Sequence, residues 1–303
     1  MKGRPEQLGK AAVFAAVVRE GSFSAGAKAM GLARSTASEH VAALESALGV
    51  RLLERTTRTL RLTEEGELLF DRIDRTLRAW EEARAALEER SGEPAGTLRI
   101  TSPGGLASAL VAPTCGELVA AHARVSVELI VDDRLRDLIS EGIDVAIRMA
   151  PLQDSSLVCR KLGSTYSILV DAPGAPSTTP AKDPERQLEA IRERPWVGHP
   201  AVPRPTVTLH DAKGQAHAVR PNYRTEGSNS EGQLSLAAHG CGLALVPELL
   251  VRQPIEQGRL GHAFADWRGR EIPIYAVYSR TRFTPPRVAR FLDLLTQHLD
   301  ALR

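Results

Sequence analysis

Residues 21–66 read GSFSAGAKAMGLARSTASEHVAALESALGVRLLERTTRTLRLTEEG. Ser22 or Ser24 can accept from the free N–H groups of a short helix ending near Met30, and Gly31 then supplies a three-residue turn. A further helix is predicted from about Arg34 to Leu48, with Val41, Leu44 and Leu48 on its buried side and Gly49 as its stop. Upstream, Leu8 and the run AAVFAAVV at 11–18 predict an apolar-faced helix that Gly21 ends. Two helices across a short glycine turn make a helix-turn-helix, whose second helix enters the major groove with its N-terminal side chains at the base edges. Those side chains are Arg34, Ser35, Thr36, Ser38 and Glu39. The following VRLLERTTRTLRLT alternates well enough for two short strands, a wing that projects Arg55, Arg58 and Arg61 towards phosphates and a narrow minor groove. A mere packing unit of the same shape is the competing reading, against which the arginines of the wing weigh, because a solvated charge face usually mixes its signs.

Charge divides along the chain in the same sense. Of 303 residues, positions 1–62 carry ten Lys and Arg against five Glu, net +5, while the remainder carries 29 against 32, net −3. A basic module joined to a mildly acidic one directs only the first towards a polyanion. Aromatic residues make up 4% of the chain, too few for base stacking to be a main mode of recognition. Cys115, Cys159 and Cys241 are odd in number and lack any CxxC spacing, so neither a disulfide framework nor a zinc site is indicated. The eight-residue apolar run near the start is followed by Arg19 and Glu20 instead of a small-residue cleavage site, and reads as a buried helix. No stretch approaches the roughly 20 apolar residues that span a bilayer, and a cytoplasmic protein is expected.

The stretch FAAVVREGSFSAGAKAMGLARSTASEHVAALESALGVRLLERTTRTLRLTEEG, residues 14–66, resembles the winged helix-turn-helix of LysR-type transcriptional regulators along its whole length. The family usually has a capping serine where Ala33 stands and a basic residue where Glu39 stands. Helix-start stability here then falls to Ser35 or the backbone, and Glu39 is placed to accept from a cytosine amino group.

Thr63, Glu64 and Glu65 open a further helix with carboxylates at its positive end. Ile73, Leu77, Trp80 and Leu87 form a stripe on it, and a helix of about 25 residues with such a stripe wants a partner helix. In LysR-type proteins the linker helix pairs two subunits, and the resemblance implies the same here. SGEPAG at 91–96 then reads as a break. The division expected is a DNA-binding domain at 1–62, a dimerising linker at 63–91, a hinge at 92–96 and an effector-binding domain at 97–303.

From residue 97 strands alternate with helices, which favours an α/β domain. TLRIT, VSVELIV, IDVAIRM, YSILV, PWVGH, VTLHD and EIPIYAVYS read as strands. LASALVAPTCGELVAAH reads as a helix interrupted at proline, and RLRDLISEG, NSEGQLSLAAHG and PPRVARFLDLLTQHL as further helices. CGLALVPELLV reads as a strand and then a turn. This order resembles the family's effector domain, most visibly in DLISEGIDVAIRMAPLQDSSLVCRKLG and AAHGCGLALVPELLV. The likeness implies two subdomains of the periplasmic-binding-protein type, about 97–167 with 272–303 and about 168–271, with a ligand cleft between them.

Open α/β sheets bind ligands beyond the carboxyl ends of their strands. That rule selects Thr101, Ser102 and Pro103 after the first strand, and Ser228, Asn229 and Ser230 at a helix start. Arg148 ends a strand, where it could clamp a carboxylate or pair with Asp144 or Asp154, and His199 stands near another strand end. Ser102 and Ser228 could equally be caps. Catalysis is not expected, because Cys241 beside His239 sits at a helix-to-strand turn with no positioned acid. Only Cys241 falls in the second subdomain, so a cysteine-pair redox switch is not expected either. The reading is a sequence-specific, effector-responsive DNA-binding regulator without metal or cofactor. Its partners are duplex DNA, a small effector, itself as dimer or tetramer, and RNA polymerase. A constitutive DNA-binding protein is the alternative.

Overall fold

In the computed structural model, described over residues 5–54, 60–88, 93–150, 157–176, 183–202, 205–279 and 284–302, the chain divides into two units at Glu88. The first contains α1 (Pro5–Arg19), α2 (Phe23–Ala29), α3 (Arg34–Leu48) and α4 (Glu64–Glu88). Ser22 caps α2, its hydroxyl accepting from the N–H of Ala25 at 3.1 Å. Gly49 ends α3 in the left-handed region at φ 73°, which a residue with a Cβ rarely adopts. The core is built by alternation of small and large side chains: Phe14, Val41, Leu44, Leu52 and Leu53 fill one cluster, Val13, Val17, Ala27 and Ala37 another. α1 and α2 approach so closely that a Cβ on Gly26 would lie 2.5 Å from the Cα of Val17. Leu53 and Leu62 form an antiparallel bridge and Glu54 donates to the carbonyl of Arg61, which closes the base of the wing.

The second unit contains β1 (Gly96–Ser102), α5 (Gly104–Leu106), a π-type turn (Ala107–Val111), α6 (Ala112–Ala121), β2 (Val125–Val131), β3 (Val145–Arg148) and β4 (Leu157–Asp171). α7 (Pro184–Glu193), β5 (Pro195–Gly198), β6 (Val207–His210), β7 (Ala216–Val219), β8 (Asn222–Glu226) and α8 (Ser230–Ala238) follow. β9 (Ala244–Pro247), α9 (Glu248–Glu256), β10 (Gly261–His262), β11 (Arg268–Ser279) and α10 (Pro286–Ala301) complete it. β1, β2 and β3 are parallel, and β11 runs antiparallel to both β3 and β4. β5 and β8 form a separate parallel pair. β4 and β11 are the long strands: β4 contributes to two apolar clusters, β11 to the larger of them, and Trp267, immediately before β11, to the second. Leu162, Ile168, Ile274 and Ala276 belong to the larger, with Leu98, Ile100 and Phe291, while Leu169 and Trp267 sit near the two strands' far ends with Trp196 and Leu209. Positions 167/168 and 271/272 fall inside these two strands.

Three local expectations change. The helix predicted over 134–142 is a turn, because tertiary and side-chain bonds take the groups a helix would use. Asp137 accepts from the N–H groups of Ile139 and Ser140, and the carbonyls of Asp132 and Arg134 are bound by Arg148. Pro247, read as part of a turn, instead precedes the first turn of α9, where its fixed φ suits a helix start. At Pro113 the helix does not break: the π-type turn precedes it, and the hydroxyl of Thr114 donates to the carbonyl of Leu110 at 2.8 Å. α7, β7, β8 and β10 were not predicted. The segment Gly104–Ala121 is long and apolar enough to cross a membrane by composition, yet Leu106, Leu110, Val111, Cys115 and Leu118 spend that apolarity on the larger core.

Candidate functional site

α3 turns Ala37, Val41 and Leu44 inward and leaves Arg34, Ser35, Ser38 and Glu39 exposed, with Thr36 half-buried. Ala33 makes no side-chain cap, so the first N–H groups of α3 remain open to a phosphate beside Arg34. Arg61 is exposed at the base of the wing; Arg55 and Arg58 lie outside the described residues. Glu45 fixes the wing to α3, its Oε1 accepting from the N–H of Leu52 at 2.7 Å and of Leu53 at 3.2 Å. An acid near the negative end of a helix is unfavourable by itself, and that misplacement is the signal by which Glu45 could have been found. Thr63 completes the joint: its hydroxyl donates to the carbonyl of Arg51 at 2.6 Å and accepts from the N–H of Gly66 at 3.0 Å.

Along α4, Ile73 is half-buried, covering the head's own core with Leu69 and Phe70. Leu77 is half-buried and Trp80 is 70% exposed; the side chain of Leu87 lies outside those described. Leu68 is 63% exposed, so α4 presents more apolar surface than it can cover alone.

In the α/β unit the polar candidates gather where strands end. Thr101 and Ser102 close β1 and are fully buried; the Ser102 hydroxyl donates to the carbonyl of Pro103 at 3.3 Å, and Pro103 is half-buried. Arg148 closes β3 and is 5% exposed. Its Nη1 donates to the carbonyl of Asp132 at 2.7 Å, and its Nη2 to the carbonyl of Arg134 at 3.0 Å and the hydroxyl of Thr101 at 3.2 Å. Nε is buried with no hydrogen-bond partner among the described residues. Burial therefore pulls the guanidinium pKa down, against the pull of Asp132 and Asp133. Arg148 is thus a strut with a buried positive charge, and its fork is not free to clamp a carboxylate. Nor does it pair with Asp144, which binds the N–H of Arg99 at 2.8 Å and Arg287 at 3.2 Å; Asp154 lies outside the described residues.

β5 and β8 end side by side. His199 follows β5 and accepts at Nδ1 from the N–H of Ala201 at 3.0 Å, which leaves Nε2 as the donor of the neutral ring. Burial lowers its pKa, and Asp133 and Glu226 oppose that shift, so the loop after β2 and the ends of β5 and β8 share one field. Asn229 caps α8 by accepting from the N–H of Gly232 at 2.9 Å; Ser228 is exposed and Ser230 half-buried. Gly227 lets β8 turn tightly into α8, since a Cβ there would lie 2.3 Å from the N of Gln233. The hydroxyl of Thr225 is buried with no hydrogen-bond partner among the described residues. An unmet buried hydroxyl costs about 1–3 kcal/mol, so it marks a place where a ligand group would be welcome.

Cys241 is half-buried, and His239 holds the carbonyl of Ser235 through Nδ1 at 2.8 Å. Cys115 is buried, which pushes its thiol up to about 11. Among the described residues no three His, Cys, Asp or Glu side chains stand close enough to hold a metal.

The family description "LysR substrate binding domain" matches residues 91–300, and "Bacterial regulatory helix-turn-helix protein, lysR family" matches residues 8–67. The chain is 33% identical over 286 residues to the HTH-type transcriptional regulator PtxR of Pseudomonas aeruginosa, covering 94% of this chain and 91% of that one. Among solved structures, CrgA of Neisseria meningitidis, a LysR-type transcriptional regulator, is 30% identical with a TM-score of 0.56 over 98% of this chain and 99% of its own. The full-length Vibrio cholerae virulence activator AphB is 27% identical with a TM-score of 0.55, covering 96% and 98%.

Proposed function

The chain belongs to the LysR family of bacterial transcriptional regulators, and from that premise we propose that it acts as a dimer, or a pair of dimers, joined through α4 and controlled by a small polar effector. The dimer presents two copies of α3 to half-sites about one helical turn apart, with Arg34, Ser35, Thr36, Ser38 and Glu39 at base edges and Arg55, Arg58 and Arg61 along the backbone. Leu77, Trp80 and Leu87 supply the pairing face, with Ile73 at its edge. The effector lies at the ends of β1, β3, β5 and β8, between one subdomain built on 97–167 and 272–303 and another on 168–271. Two observations support this: the Thr225 hydroxyl near the end of β8 is buried with no hydrogen-bond partner among the described residues, and the Arg148 charge is buried at the end of β3. Thr101, Ser102, Pro103, His199, Ser228, Asn229 and Ser230 line the approach, and Arg148 supplies the positive field beneath them. Effector binding changes DNA occupancy only through unequal affinity for two arrangements of the unit, altering DNA bending and access of RNA polymerase. Such a regulator works beside the chromosome, in the cytoplasm.

The test is a thermal-shift screen of the full chain against small carboxylates, amino acids and aromatic metabolites. A ligand at 100 times its Kd adds about 2.7 kcal/mol to the unit that binds it. Thr225→Val removes no native bond, so it leaves the ligand-free melting temperature in place and abolishes the shift. A shift that survives both Thr225→Val and Ser102→Ala places the effector elsewhere. A flat screen favours constitutive DNA binding.

A further inference from the structure

The third turn of α4 carries a charge cluster that neither DNA contact nor effector binding uses. Asp74 is 6% exposed, and its carboxylate is divided between two helices. Oδ1 accepts from Nε of Arg19, the last residue of α1, at 2.6 Å, and Oδ2 pairs with Arg78 one turn further along α4. Nε and Nη1 of Arg78 are buried with no hydrogen-bond partner among the described residues, so Arg78 depends on Asp74 for its neutralisation. Towards the start of α4, Leu69, Phe70 and Ile73 rest on the head's core; past Arg78 the described side chains at 79, 80, 81, 83 and 84 are all exposed. Asp74 and its partner Arg78 therefore lie where the buried part of α4 ends among the described side chains.

We propose that Asp74 is a positioning residue that sets the angle between head and linker, and through it the half-site spacing the dimer accepts. The inference rests on the reading of α4 as the dimer joint. Apolar packing by Leu69, Phe70 and Ile73 is non-directional and tolerates rolling of one helix on another. A carboxylate shared by two guanidinium groups is directional, and its removal leaves two facing cations without an anion. α4 is a lever of 25 residues, about 1.5 Å each, while the duplex offers one base pair every 3.4 Å or so, so a small swing at Asp74 changes the step on which the second α3 lands.

The experiment uses the full chain and duplexes recovered by it from a randomised pool, remade with the half-sites moved together or apart one base pair at a time. Wild type should favour its best spacing over the neighbouring ones by on the order of tenfold. Asp74→Asn and, independently, Arg19→Gln should reduce that preference to within about twofold while single half-sites bind as before. Asp71→Asn, which breaks the exposed Asp71–Arg75 pair on the same helix, should keep the wild-type profile. Arg19→Gln leaves the pair within α4 intact and serves if Asp74→Asn does not fold. A sharp wild-type profile that survives either folded variant overturns the role of Asp74 alone. A wild type with no spacing preference overturns the dimeric reading and the proposal with it.

Discussion

The head and the α/β unit hold their polar residues in opposite ways. In the head, Arg34, Ser35, Ser38 and Glu39 stand in solvent on a helix whose other face is buried. In the α/β unit, Thr101, Ser102 and Arg148 are sunk below the surface at strand ends. The difference follows from what each must touch. A duplex is larger than the head and is met from outside by side chains that a rigid core aims. A small effector is surrounded, which on the proposed reading is why the groups that frame it are sunk at strand ends and held there by internal hydrogen bonds.

The comparison breaks first at two glycines. A Cβ on Gly66 would lie 2.0 Å from the carbonyl oxygen of Leu52, and one on Gly242, at φ 132°, would lie 2.2 Å from that of Pro195. Gly66→Ala should cost the head about 3 kcal/mol or more and spare the α/β unit, with Gly242→Ala doing the reverse. Calorimetry of the full chain checks this, and a single transition displaced by both would show that the two regions do not unfold separately.

The next effect is confined to the α/β unit. Burial pushes Asp144 up from 3.8 to about 6, with Arg287 opposing it. The folded unit then binds a proton more tightly than the unfolded chain between about pH 4 and 6, so its stability is greatest at the acid end and falls by up to about 3 kcal/mol as pH rises through that window. Denaturation of wild type and Asp144→Asn at several pH values should show the decline only in wild type. An equal slope in both would assign it to other groups.

Two smaller changes sharpen the picture of the head. Arg34→Ala should lower the slope of log affinity against log salt by about 1 if Arg34 meets a phosphate, and an unchanged slope would remove it from the interface. Ala33→Ser should add about 0.5–1 kcal/mol to the head's stability, because the extended backbone at Ala33 (φ −72°, ψ 149°) is that of a cap lacking only the hydroxyl. No change in melting would mean that the backbone alone satisfies that helix start.

Legibility follows the same division. α1 to α4 were readable because each of their packing contacts repeats with the helix period, and because Ser22, Gly31 and Gly49 punctuate them locally. Thr101 and Ser228 could be selected as strand-end and helix-start positions from order alone. The bonds of Arg148 could not, since they depend on the loop after β2 folding back over β3, and the same bonds dissolve the helix that 134–142 would otherwise form. Thr225 gave no signal at all: an unsatisfied hydroxyl is a property of surroundings remote in sequence, with Val197 opposite it in β5. Glu45 and Asp74 lay between these cases, each an acid whose spacing was visible and whose partner was not.

One consequence of the strand order concerns synthesis. β3 and β4 both pair with β11, so the central sheet stays incomplete on a growing chain until residues 268–279 have left the ribosome. The head needs nothing beyond residue 88 for the core described here. At about 5–20 residues per second, a nascent chain therefore exposes a finished DNA-reading head for ten seconds or more before its sensor can close. A message cut short in that interval would release a reader that no effector could govern.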